Sequence, residues 1–93
     1  MTPDPPTDAH SLALTALAAT LTDERRARRF LDLTGIGTED LRRTADDPSL
    51  LSALLMFLEG HEPDLVSVSQ QIGVKPEALI RARQRLDSSE DRE

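Results

Sequence analysis

Leu, Ala and Val recur at intervals of three and four residues from Leu12 to Leu86, and no stretch alternates with period two for long. That pattern predicts helices throughout and no strands. The first helix is expected from about Asp8 to Leu21, capped by Thr7 or Asp8, with Leu14, Leu17 and Leu21 on one stripe and Ala9, Leu12, Ala13 and Ala16 beside it. Thr22 offers the next N-cap, ahead of Asp23 and Glu24, whose charges suit the positive end of a helix. That second helix carries Ala27, Phe30, Leu31 and Leu33 among four arginines and is expected to end at about Thr34, with Gly35 supplying the left-handed residue after it.

A short third helix is predicted over about Glu39 to Ala45. Asp47-Pro48 then gives a cap followed by a proline already at helical φ, opening a fourth helix to about Glu59. This one is apolar nearly all round (Leu50, Leu51, Ala53, Leu54, Leu55, Met56, Phe57, Leu58), which places it at the centre of the fold. Glu62-Pro63 repeats the cap-then-proline start for a fifth helix that Gly73 closes, and a sixth runs from Pro76 to about Leu86, burying Leu79, Ala82 and Leu86 with Ile80 at its edge. The fold class is therefore all-α: a compact bundle of five or six short helices.

Two αα corners look alike. Gly35-Ile36-Gly37-Thr38-Glu39-Asp40-Leu41-Arg42-Arg43 aligns with Gly73-Val74-Lys75-Pro76-Glu77-Ala78-Leu79-Ile80-Arg81, sharing Gly, Glu, Leu and Arg. Each part has a physical task. Gly takes positive φ, the β-branched residue packs back on the helix just ended, Glu faces the next N-terminus, and Leu seals the core.

With 93 residues the chain holds one domain, expected over residues 8–87, between a proline-rich tail at 1–7 and an acidic tail at 88–93, both expected to be disordered. It has no cysteine, which removes disulfides, cysteine-based zinc sites and thiol nucleophiles and fits a reducing compartment. No apolar run approaches the roughly 18 to 20 residues of a membrane span, and the start is neither a signal nor a transit peptide. The expected location is cytoplasmic, without membrane association.

The net charge of −6 argues against non-specific nucleic-acid binding. Its placement softens that argument, because segment 9–86 holds 10 basic against 11 acidic residues and most of the acidity sits at the ends. Aromatic content is 2%, without Trp or Tyr, so stacking on bases or sugars lacks its usual surface.

Three clusters carry candidate chemistry. Val68, Ser69, Ile72, Gly73, Val74, Leu79 and Ala82 fit the spacing of a helix-turn-helix over residues 65–86, although Leu65 departs from the polar residue often found at its start. Lys75, Glu77, Arg81 and Gln84 would then face DNA, with Lys75, Arg81 and Arg85 required to form a continuous basic strip. The same pattern serves any tight αα corner. Arg25, Arg26, Arg28 and Arg29 form the second cluster: Arg25 and Arg29 share a face and could grip a phosphate or an acidic partner, or the group is a solvated face with Arg28 beside Glu24 and Arg29 beside Asp32. The third, Glu59-Gly60-His61-Glu62-Pro63-Asp64, holds three carboxylates and an imidazole. Cap and first-turn roles for Glu62 and Asp64 explain it better than a metal does.

No nucleophile elbow, phosphate-cradling glycine loop or His-Glu-x-x-His is present, and the two histidines fall in different elements. No enzymatic activity, cofactor or metal is expected. The remaining class is a macromolecular interaction module, binding an unknown protein or itself through an exposed apolar edge, with helix-turn-helix DNA binding as the alternative.

Across Leu12 to Leu86 the chain resembles a family of small alphaproteobacterial proteins, number 3572 in the domain-of-unknown-function series. The resemblance rests on Asp23-Glu24-Arg25, Arg29-Phe30-Leu31-Asp32-Leu33-Thr34-Gly35, Asp40-Leu41-Arg42, Asp47-Pro48 before the Leu-rich helix, the run from Phe57 to Leu65, and Gly73-Val74-x-Pro76-Glu77-x-Leu79. It implies a stand-alone, all-helical bacterial protein and carries no catalytic residue, cofactor or activity with it.

Overall fold

The computed structural model describes residues 8–91; the tail expected at 1–7 and the final residues 92–93 lie outside the described residues. Six helices succeed one another: α1 (Ala9–Leu21), α2 (Glu24–Thr34), α3 (Thr38–Thr44), α4 (Pro48–Glu59), α5 (Glu62–Ile72) and α6 (Pro76–Asp91). The described residues include no strand, as the three-and-four periodicity requires.

Side-chain capping sets three of the starts. Asp8 accepts the His10 amide, Asp23 the Arg26 amide and Asp47 the Ser49 amide, each satisfying a donor that has no intrahelical partner. Asp23, not Thr22, caps α2. Thr22 instead closes α1, its hydroxyl donating to the Ala19 carbonyl at 2.7 Å. Glu62 is likewise already inside α5, whose N-cap residue His61 contributes no side-chain bond. The third helix begins at Thr38, one residue before its expected start. The last runs past Leu86 to Asp91, since no Gly or Pro comes after it to stop it and Arg83 bonds Asp87 across one turn.

The core is built on α1 and α4, with α6 laid along both. In α4, Leu51, Leu54 and Leu58 are fully buried and Leu55 nearly so. Its apolar circumference is not covered all round, however: Met56 is 56% exposed and Phe57 half-buried, while Ser52 is buried and donates to Asp87. On α1, Ala13 and Ala16 are completely buried; two such small side chains let neighbouring helices approach closely, and α1 touches α2, α4, α5 and α6. The buried Thr20 and Ser69 hydroxyls are satisfied within their own helices, on the Ala16 and Leu65 carbonyls.

Both corner glycines adopt positive φ, Gly35 at 72° and Gly73 at 78°. Ile36 and Val74 pack on the core as expected, and Leu41 and Leu79 are both buried.

Candidate interaction surface

Helix α2 is the polar element of the bundle, and its register sorts its side chains into parallel lines four residues apart. Arg26, Phe30 and Thr34 face inward. Arg25, Arg29 and Leu33 form the adjoining line, and Glu24, Arg28 and Asp32 the line beyond, toward solvent. Phe30 is the helix's single buried residue and meets Phe57 edge to face at 5.4 Å, a contact worth about 0.5–1.5 kcal/mol beyond its area.

The inward arginine has a partner far away in the sequence. Arg26 Nε donates to Asp64 Oδ1 at 3.0 Å, and Arg29 donates to the other carboxylate oxygen. Asp64 lies in the first turn of α5 and is only 4% exposed, so the expected first-turn acid is a buried ion-pair acceptor that ties α5 to α2. Arg29 also stands over the Phe57 ring, 5.4 Å from its centroid. Neither helix pair expected on α2, Arg28 with Glu24 or Arg29 with Asp32, closes among the described residues.

Arg25 and Arg28 are exposed. Together with Glu24, Arg29 and Asp32 they line a shallow cleft of about 550 Å³. The cleft is mixed in charge, and Arg29 in it is already engaged by Asp64.

Along α6 the residues of the proposed DNA-reading face, Lys75, Glu77, Arg81, Gln84 and Arg85, are all exposed. Glu77 stands one turn ahead of Arg81 on the same line, so the basic strip from Lys75 to Arg85 is interrupted by a carboxylate. Asp87 turns away from that strip. It meets Arg83, which also donates to Glu59 at 2.6 Å across to α4. The Glu59 bond first, then Asp87, raises the Arg83 guanidinium above its ordinary range. The structure thus brings Arg25 and Arg29 onto one line of α2 and sets Arg81 and Arg85 along the separate helix α6, with Lys75 just before its start.

Two exposed apolar side chains were not singled out from sequence. Phe30 brings α2 against α4 at Phe57, and Arg26 brings it against α5 at Asp64. Leu33 on α2 is 70% exposed, and Met56 on α4 is 56% exposed, one turn from Ser52 and Glu59, whose side chains meet α6. From Pro48 to Leu58, α4 carries no charged side chain. The signal in the sequence was Leu33 itself, a Leu on the line adjoining the core-facing one of a helix whose other outward positions are charged.

Among the described residues no group of three or more His, Asp and Glu side chains is placed to hold a metal ion, and no helix is long and apolar enough to cross a membrane. The fold defines a small all-α bundle whose distinctive features are an ion-paired α2 and an uncharged α4 face. The chain belongs to the family described as Protein of unknown function (DUF3572), whose family model matches residues 6–89. No curated protein and no solved structure matches it.

Proposed function

We propose that the chain is a non-catalytic interaction module that holds a protein partner through exposed apolar side chains of α2 and α4. One observation carries this reading. Among the described residues three large apolar side chains are exposed, Leu21, Leu33 and Met56, and Leu33 and Met56 are the most open of them, at 70% and 56%. A large apolar side chain left this open to solvent is of the kind a partner buries.

The alternative, DNA binding by α5 and α6, is favoured by the exposure of Lys75, Arg81 and Arg85 and weakened by Glu77 among them. Site-directed photo-crosslinking in the native host separates the two. A photoreactive residue at position 33 or 56 is expected to give discrete protein adducts that a Leu33→Asp/Met56→Asp chain competes for poorly, while the same residue at position 81 gives none. Duplex binding at low salt that the double variant leaves intact, or adducts at 81 alone, overturns the reading.

A further inference from the structure

We infer that residues 36–46, with α3 at their centre, form a strap that opens by itself while the other five helices stay packed, and that His10 is its latch. The strap holds to the rest of the molecule by little. Leu41 is buried and Ile36 and Ala45 are half-buried against the core, while every other residue from Gly37 to Asp47 is exposed. Its own side-chain bonds stay inside α3, where Arg43 donates to the Asp40 carboxylate and Thr44 to the Asp40 carbonyl. Helix α3 touches the other helices only slightly. The others are joined more firmly: α1, α4 and α6 lie against one another, and α2 is fastened to α5 by the Asp64 ion pairs and to α4 by Phe30 on Phe57.

Both ends of the strap can turn. Ile36 sits between Gly35 and Gly37, residues with the widest choice of backbone conformation, and the other end is the exposed Asp46-Asp47 link before Pro48. Gly37 makes no side-chain cap, so the start of α3 adds no anchor. Seven residues are too few for a helix to persist alone, so release of the strap melts α3 with it. One bond clasps the far end. His10 Nε2 lies 2.9 Å from the Asp46 carbonyl oxygen, 36 residues away, and a carbonyl only accepts, so Nε2 carries the proton. Apart from the 3.4 Å bond of Ile36 N–H to Thr34 at the hinge, this is the one hydrogen bond among the described residues that joins the strap to another helix. His10 stands in the first turn of α1, which Asp8 caps by accepting the His10 amide, so the latch is mounted on a core helix.

The test is native-state hydrogen exchange of the full chain by NMR, at urea concentrations below the unfolding transition, with solvent-magnetisation transfer for the fastest amides. Relative to intrinsic rates, the amides from Leu41 to Thr44 are expected to exchange at least about 100-fold faster than the slowest amides of α1, α4 and α6, and with little dependence on urea, as an opening that exposes little surface does. His10→Ala is expected to speed exchange of those α3 amides about two- to tenfold, the effect of one hydrogen bond, and to leave the slowest amides of α4 and α6 where they were. His10→Gln, whose side-chain amide can donate to the same carbonyl, is expected to recover part of that loss. Exchange in α3 with the same steep urea dependence as the core makes the bundle one cooperative unit and overturns the strap. So do α3 amides no better protected than those of an unfolded peptide, since nothing is then closed. Equal acceleration of all helices by His10→Ala, or none in α3, overturns the latch.

Discussion

At Gly35 the chain leaves α2 and at Gly73 it leaves α5, through sequences alike enough to align and with φ values six degrees apart. The hydrogen bonds differ. After α5, Val74 N–H donates to the Ser69 carbonyl at 2.9 Å and Gly73 N–H to Gln70 at 3.3 Å, the paired bonds of a Schellman motif. After α2, a single bond from Gly35 N–H to the Leu31 carbonyl at 2.8 Å makes the simpler left-handed cap. The residue before each glycine accounts for the difference. Thr34 donates its hydroxyl to the Phe30 carbonyl at 3.0 Å and accepts the Ile36 amide at 3.4 Å, drawing that amide away from the helix end. Ile72, in the same place, has no hydroxyl to offer.

The helices launched from the two corners differ more. Helix α3 has seven residues, one buried side chain, and only slight contact with the other helices. Helix α6 has 16 residues, buries Leu79, Ala82 and Leu86, and lies against both α1 and α4. Corner chemistry decides where one helix stops. Whether the next helix joins the core depends on how long its apolar stripe runs, and the α3 stripe is cut off by Asp46-Asp47-Pro48.

The sharpest break of this comparison is at its two leucines. Leu79→Ala is expected to cost about 2–5 kcal/mol, and Leu41→Ala below roughly 2 kcal/mol, because α3 can yield around the lost volume. Chemical denaturation of both variants measures it; equal losses would place α3 in the core. The glycines come next. Neither has a neighbour within 4 Å of an added Cβ, so Gly35→Ala and Gly73→Ala are each expected to cost about 1–2 kcal/mol from backbone conformation alone. A much larger loss at Gly73 would show that the second bond of the Schellman cap couples the corner to the core.

Thr34→Ile gives the first corner the residue type of the second. It is expected to change melting by a few degrees at most, corresponding to under about 1 kcal/mol, while slowing exchange of the Ile36 amide as it moves to the helix end.

Acid gives the smallest effect and contrasts the corners with the capped starts. The Ser11 hydroxyl bond, followed by the His10 and Ser11 amides, lowers the Asp8 carboxyl, and the Arg26 amide bond lowers that of Asp23. Carboxyls lowered in the folded chain stabilise it above the ordinary aspartate range, near about pH 4, and that contribution is lost as pH falls through the lowered values. Protection of the first-turn amides of α1 and α2, taken relative to intrinsic exchange at each pH, should therefore fall on acidification more in the parent than in Asp8→Asn and Asp23→Asn chains. The start of α3, where Gly37 offers no side-chain cap, should respond least.

The helix order was legible because local signals set it: Asp47-Pro48 marks the start of α4, and Gly35 and Gly73 end α2 and α5 where expected. The Asp64 ion pair was not, because it depends on which helices meet. Asp64 reads locally as a first-turn acid, yet its partners stand 38 and 35 residues away. One clue lay in register: Arg26 shares the inward line with Phe30, and a guanidinium carried toward the core needs a carboxylate there. Met56 was misplaced for the opposite reason. Eight apolar residues in one short helix look buried on every side, but the polar Ser52 is the one turned inward, to a carboxylate on α6.

The packing of α1 against α6 also bears on how the chain is made. Helix α1 leaves the ribosome before the other five, but Ala13, Ala16 and the side chains around them are covered in part by α6, the last of the six to be synthesised. Early helices cannot close the core by themselves, so the native bundle forms only after α6 has emerged, as a single late event. A nascent chain stalled before Leu79 would expose the apolar faces of α1 and α4 together and become a substrate for chaperones.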